Sequence, residues 1–130
     1  MSGAKSRRKG ANWEREVANI LTELTGVECS RRLQQYQVGG SDIETILPIA
    51  VEAKTGYRIS VTKALDQVED AAGEEDLPFV WVKQNRKGNP PSRYIVMKEE
   101  YFLPLLRSYL KGWGIRLVEM NKFFDDSDIN

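Results

Sequence analysis

The chain sets acidic residues and one lysine in a segment that is otherwise aliphatic and glycine-rich, VGGSDIETILPIAVEAK, residues 38–54. Alternate side chains of a β-strand share a face, so Glu52 and Lys54 are expected to be neighbours about 7 Å apart on a predicted strand 49–54. If the strand before it folds back as an antiparallel hairpin, Asp42 lies at the same end. The spacing therefore predicts that two carboxylates and one ammonium group meet at one point on a sheet.

Such a meeting of charges indicates a metal-assisted reaction. Crowded carboxylates repel one another unless a cation joins them, and dense oxygen ligands suit Mg²⁺ or Mn²⁺ better than zinc. A divalent ion polarises a phosphate and lowers the pKa of a bound water, while a lysine steadies the developing charge. The predicted chemistry is phosphodiester hydrolysis with Mg²⁺, for which Mn²⁺ can substitute. Glu14 can complete the site, since it lies about 100° round from Trp13 at the border of a helix's apolar face.

The composition excludes several other chemistries. The 130 residues include no histidine and one cysteine, Cys29. Without imidazole there is no Ser-His-Asp triad, no histidine-ligated zinc and no histidine base. One cysteine forms no internal disulfide, and the basic start MSGAKSRRKG lacks a signal peptide's apolar stretch, so a cytoplasmic location is expected. No apolar run approaches a membrane span, so no membrane partner is expected.

Hydrophobic periodicity predicts one α/β domain with a mixed central sheet flanked by helices. Trp13, Val17 and Leu21 recur at helical spacing, and Gly26 is a suitable end for that helix. The predicted order α-β-β-β-α-β-β-α has helices at 12–25, 62–72 and 99–111 and strands at 27–33, 42–46, 49–54, 79–83 and 94–97. An additional edge strand is expected at 115–118. The expected divisions are a basic flexible arm at 1–9, a nuclease domain at 10–120 and an acidic tail at 121–130.

Three segments carry a family resemblance: KGANWERE at 9–16, GGSDIE at 39–44 and EAK at 52–54. Together they resemble the motifs of the PD-(D/E)XK nuclease superfamily. The basic KG start ahead of a helix containing ER is similar to Holliday-junction resolvases of the archaeal type and their phage-encoded relatives. The resemblance implies a restriction endonuclease-like core, α-β-β-β-α-β, and a phage-encoded member would work in the host cytoplasm. The catalytic residues it implies, of which the three carboxylates are also the metal ligands, are Glu14, Asp42, Glu52 and Lys54.

Basic residues form local clusters although the formal net charge is zero. Such clusters bind phosphate whatever the total charge, so they are expected to contact the DNA backbone. Gln67 resembles a glutamine that some superfamily members direct at the site, and Ser41 can shape a loop over the phosphate. An ordinary structural role is the alternative for both. The predicted DNA-binding residues are Arg7, Arg8, Lys9, Arg31, Arg32, Ser41, Gln67, Arg86 and Lys87.

The expected function is a metal-dependent endonuclease acting on branched DNA such as Holliday junctions. Resolving a junction needs two symmetric cuts, so a homodimer is expected. Two alternatives stay open: a superfamily nuclease with another DNA substrate, of nickase, flap or restriction type, and a DNA-binding module without the chemistry. The tail FFDDSDIN resembles those that recruit replication or recombination partners, and a frayed terminus is the alternative reading.

Overall fold

The structure, a computed structural model, describes residues 2–33 and 41–113. The chain divides into two compact units, residues 1–98 and 99–130. The elements follow in the predicted order, α-β-β-β-α-β-β-α. Their bounds are α1 Ser2–Thr25, β1 Cys29–Arg31, β2 Ile43–Thr45, β3 Ile49–Gly56, α2 Val61–Ala71, β4 Leu77–Arg86, β5 Asn89–Val96 and α3 Glu99–Gly112.

Helix α1 is longer than the apolar periodicity predicts. It begins at Ser2 rather than Asn12, so residues 2–9, expected as a flexible arm, are helical. The spacing of apolar residues indicates only the part of a helix that packs against the core. The polar residues before that part of α1 are mostly good helix formers, so the helix extends through them. The helix ends as predicted, because Gly26 takes a φ of 73° and its N–H donates to the Thr22 carbonyl at 2.8 Å.

The central sheet is mixed and has the order β3-β4-β5. β3 pairs in parallel with β4, and β4 pairs antiparallel with β5. A parallel pair needs a crossover connection, and α2 supplies it. Helices α1 and α2 flank this sheet, which confirms the predicted α/β class and agrees with the expected restriction endonuclease-like core.

The predicted antiparallel pairing of β2 with β3 is wrong, because β2 pairs antiparallel with β1 in a separate two-stranded sheet. Residue Asp42, directly before β2, still reaches β3, since its N–H donates to the Val51 carbonyl at 3.0 Å. Pro48 has no N–H for a ladder with β2, and its carbonyl accepts from Leu77 N–H at 2.9 Å at the start of β4. The short turn therefore leads into the parallel sheet instead of closing a hairpin.

The two faces of β3 are covered by different helices. Val51 lies in an apolar cluster with Trp13 of α1, whereas Ala50 lies in a second cluster with Val68 of α2. The even-numbered residues of β3, which include both charged residues of the EAK motif, follow the face of Ala50. The alternation predicted from the sequence is confirmed.

In the second unit, α3 contains Pro104 and has no buried residue among its described side chains. The edge strand expected at 115–118 and the tail at 121–130 lie outside the described residues. Among the helices that the structure describes, none is both long and apolar enough to cross a membrane.

Candidate active site

Asp42 is fixed against β3 by two hydrogen bonds. Besides the bond from its own N–H to the Val51 carbonyl, its Oδ2 accepts from Ala53 N–H at 2.9 Å. The two β3 residues that make these bonds, Val51 and Ala53, flank Glu52 in the sequence. The backbone of β3 therefore holds the Asp42 carboxylate next to Glu52 without a β2–β3 ladder.

Glu52 is a buried carboxylate, 6% exposed, beside a second negative charge. Burial, and after it the charge of Asp42, raises the pKa of Glu52 from the ordinary 4.5 to about 7. Lys54 opposes this rise, with its Nζ 3.7 Å from Glu52 Oε2. Near pH 7 Glu52 is therefore divided between its neutral and charged forms, and a cation beside the pair would favour the charged form.

The first helix is attached to the sheet beside these residues through Trp13. Its Nε1 donates to the Trp81 carbonyl at 3.2 Å, and the two rings meet edge to face with centroids 6.2 Å apart. The Arg93 guanidinium lies 4.7 Å from the Trp13 ring centroid and also pairs with Glu16 at 3.2 Å. This anchor sets the position of Glu14, the next residue on the helix.

Glu14 is buried, and its carboxylate feels the charges of Asp42 and Lys54. Burial, followed by the charge of Asp42, raises its pKa, while Arg31 and Lys54 act in the opposite direction. Arg31 Nε donates to Glu14 Oε2 at 3.1 Å. Glu14 on α1 is thus within electrostatic reach of Asp42, directly before β2, and of Lys54 on β3.

Arg31 has a contact that sequence reasoning missed. Its guanidinium pairs with Glu14, with 24% of the side chain exposed, and its expected contact with DNA stays a prediction. The signal for this inward position was available in the strand period, because Arg31 follows the buried Cys29 by two residues on β1. An arginine turned toward a core needs a carboxylate partner.

The carboxylates of Asp42 and Glu52 form a candidate metal site. They fit a hard divalent ion, since both are oxygen donors and the charge of Asp42 disfavours the charged form of Glu52. Among the described residues, no group of three or more histidine, cysteine, aspartate or glutamate side chains is placed to hold a metal ion. Glu14, engaged by Arg31, is therefore not gathered with the other two, and its role as a ligand stays a prediction.

Two clefts adjoin the carboxyl end of β3 and share Thr55. One, of about 230 Å³, contains Lys54 and Gln67, so the structure brings Gln67 to the side of the site that the resemblance implies. Arg58 and Lys63 line the same cleft and were not predicted, because isolated exposed cations carry no periodic signal. The other cleft, of about 260 Å³, lies on the α1 side and includes Lys9, Asn12, Trp13 and Lys83.

The remaining predicted DNA-binding residues are spread over the first unit. Arg7 and Arg8 are exposed on α1, and Arg86 and Lys87 are exposed at the turn between β4 and β5. Two residues near Asp42 are engaged within the fold. Arg32 Nε donates to the Ser41 carbonyl at 2.8 Å, and the buried Ser41 donates its hydroxyl to the Ile43 carbonyl at 3.1 Å. DNA contact by these six residues stays a prediction.

Comparison with known proteins gives one family. A family model described as phage putative PDDEXK endonuclease matches residues 5–108, which include the four predicted catalytic residues. No curated protein and no solved structure matches the chain. PD-(D/E)XK nucleases generally use divalent metal ions, which agrees with the donor set of Asp42 and Glu52. The matched segment is well over half of the 130 residues, and the chain therefore belongs to this family of endonucleases.

Proposed function

We propose that this nuclease is a Mg²⁺-dependent endonuclease that cuts branched DNA, such as a Holliday junction, by phosphodiester hydrolysis. The observation that supports it is the cluster of Asp42, Glu52 and Lys54 with Glu14 beside it. Two neighbouring carboxylates are a donor set for a hard divalent ion, and the ammonium group is a donor toward phosphate oxygen.

Asp42 and Glu52 would hold the ion, which when bound supplies polarisation of the phosphodiester and a lowered pKa for a water molecule. Lys54 donates hydrogen bonds to a phosphate oxygen or to the attacking water and stabilises the charge that develops. Glu14 accepts a hydrogen bond from that water, and Arg31 keeps its carboxylate oriented toward the pair. Ala53 N–H keeps Asp42 in place.

A branched substrate is supported by the resemblance of the N-terminal motif to junction resolvases and by basic residues spread over several elements. One chain offers one site, so two symmetric cuts require a homodimer. Arg7, Arg8 and Lys9 would contact backbone phosphates, which fix position on DNA without reading its sequence. Binding should therefore depend on DNA shape and weaken steeply with salt.

The test is cleavage of a four-way junction, a flap, a linear duplex and a single strand by the purified protein, with and without Mg²⁺. We expect cleavage only with the metal and most efficiently on the junction. Asp42→Asn should abolish cleavage and retain DNA binding, because asparagine can still accept from Ala53 N–H and a negative charge near phosphate is lost. Glu44→Gln, on an exposed position of β2, is the matched control and should cleave normally.

Each alternative predicts a different result. Equal affinity for linear duplex and junction, at physiological salt and without metal, would refute the resolvase specificity and favour a nuclease with another DNA substrate. Binding without cleavage of any of the four DNAs, in either Mg²⁺ or Mn²⁺, would identify a non-catalytic binding module. Near wild-type cleavage by Asp42→Asn would refute the site itself.

A further inference from the structure

The cleft on the α2 side of β3 has an unbalanced charge. Lys54, Arg58 and Lys63 all line its volume of about 230 Å³, and no acidic residue is among the described residues that line it. Lys54 is paired with Glu52 at 3.7 Å. Within the part of the chain that the structure describes, neither Arg58 nor Lys63 forms an ion pair. Three cationic residues therefore line the cleft, and among them Lys54 alone has a carboxylate partner within the described residues.

The backbone around this cleft is held in place before any ligand arrives. β3 ends at Gly56, whose φ of 148° is rarely adopted by residues with a side chain. Gln84 of β4 donates from Nε2 to the Tyr57 carbonyl at 2.6 Å and to the Gly56 carbonyl at 3.3 Å. The turn that carries Arg58 is thus attached to the neighbouring strand.

Helix α2 supplies the opposite wall of the cleft. Lys63 and Gln67 are four residues apart and share one helix face, which explains why both reach the same space. Ser60, the N-cap residue, makes no side-chain capping bond, so its hydroxyl is not used to cap the helix. The wall therefore offers hydrogen-bond donors next to the two lysines and the arginine.

The cleft is continuous with the catalytic cluster through Lys54. Lys54 lines the cleft, and its ammonium lies 3.7 Å from the Glu52 carboxylate, so this one residue belongs to both regions. Arg58 and Lys63 are exposed and can reach a long polymer as well as a small ion. A polyanion with one charge at the carboxylate pair can thus place a neighbouring charge among the cations.

We propose that this cleft is a binding site for a backbone phosphate of the DNA strand being cut, adjacent to the phosphate at the carboxylate pair. Arg58 and Lys63 hold this second phosphate, and the amide of Gln67 donates to it or to the sugar. This inference rests on the proposed nuclease function. Because phosphate contacts carry no base information, the cleft contributes affinity and register and no sequence preference.

The experiment measures DNA binding without metal over a salt series for Arg58→Gln, Lys63→Gln and the double variant. Lys111→Gln, on α3, removes one positive charge at a distant sequence position and serves as the charge-matched control. Each single variant should bind about tenfold more weakly than the control, as expected for a lost charge-assisted hydrogen bond, and the double variant about a hundredfold more weakly. The slope of log K against log salt should become shallower by about 0.9 per lost contact.

The readouts separate this inference from the function on which it rests. If the wild type cleaves DNA and the double variant shows the affinity and salt slope of Lys111→Gln, the cleft proposal fails while the nuclease function stands. If no DNA is cleaved but the double variant binds DNA more weakly and with a shallower salt dependence, phosphate binding by the cleft stands and the catalytic function fails. Saturating DNA should restore most of the cleavage rate of the double variant, because it retains the four catalytic residues.

Discussion

Replacing Glu52 by glutamine should make the protein more stable at alkaline pH while removing its activity. One pKa unit is worth about 1.4 kcal/mol, so the rise to about 7 from 4.5 costs the folded state about 3 kcal/mol once Glu52 is ionised. Solvent screening reduces this little, since 8% of the side chain is exposed. Glutamine has nearly the same shape and no charge, and its amide can donate to Asp42.

The direction of the pH dependence follows from proton binding. The folded protein holds the Glu52 proton more tightly than the unfolded chain, so between about pH 4.5 and 7 the folded state binds more protons. The free energy of unfolding of the wild type should therefore fall as the pH rises through this window. Glu52→Gln has no carboxylate at this position, so its free energy of unfolding should not show this fall. We expect equal stability at pH 4 and an advantage of about 3 kcal/mol for Glu52→Gln at pH 8.

Urea unfolding followed by tryptophan fluorescence, in the presence of a chelator and at pH 4, 6 and 8, measures this difference. Glu44→Gln is the control for losing a carboxylate from an exposed strand position and should track the wild type. Adding Mg²⁺ at pH 8 should stabilise the wild type and narrow the gap, because a ligand that binds only the folded state raises its stability. The reasoning would be refuted if the wild type and Glu52→Gln were equally stable at pH 8, or if the difference between their free energies of unfolding did not change with pH.

Three further outcomes are expected. Glu14→Gln should lower single-turnover cleavage by about 10² in a variant that remains folded, and an unchanged rate would place Glu14 outside the chemistry. Trp13→Phe should cost about 1–3 kcal/mol in the free energy of unfolding, because the bond to the Trp81 carbonyl and part of the ring contact are lost; equal urea midpoints would contradict this. Deleting residues 1–8 should make the salt dependence of DNA binding shallower by about 0.9 per lost phosphate contact, with cleavage chemistry retained; an identical slope would show that this segment does not touch DNA.

The sequence predicts those features that depend on periodicity. Strand alternation placed Glu52 and Lys54 on one face, and helical spacing placed Trp13 and Glu14 toward the sheet, because both periods are fixed by local backbone geometry. The order of all eight elements follows from the same local signals. The proximity of Glu52 and Lys54 was therefore predictable before any tertiary contact was known.

Features that depend on choice of partner were not predictable in this way. A three-residue strand such as β2 can pair at either edge, and its pairing with β1 is decided by the whole fold. The partner of Arg31 lies 17 residues away on another element, so alternation gives its direction but not its contact with Glu14. Lys63 lines the same cleft as Lys54 because α2, the crossover helix between β3 and β4, packs on β3.

The parallel pairing of β3 with β4 also determines when the site can exist during synthesis. All four predicted catalytic residues leave the ribosome before β4, which ends at Arg86, and Glu52 lies opposite Val80 of that later strand. A nascent chain that stops short of β4 contains every one of these side chains but lacks the strand that gives β3 its ladder. Since non-local strand pairing forms late in folding, the assembled site requires the chain at least as far as the end of β4.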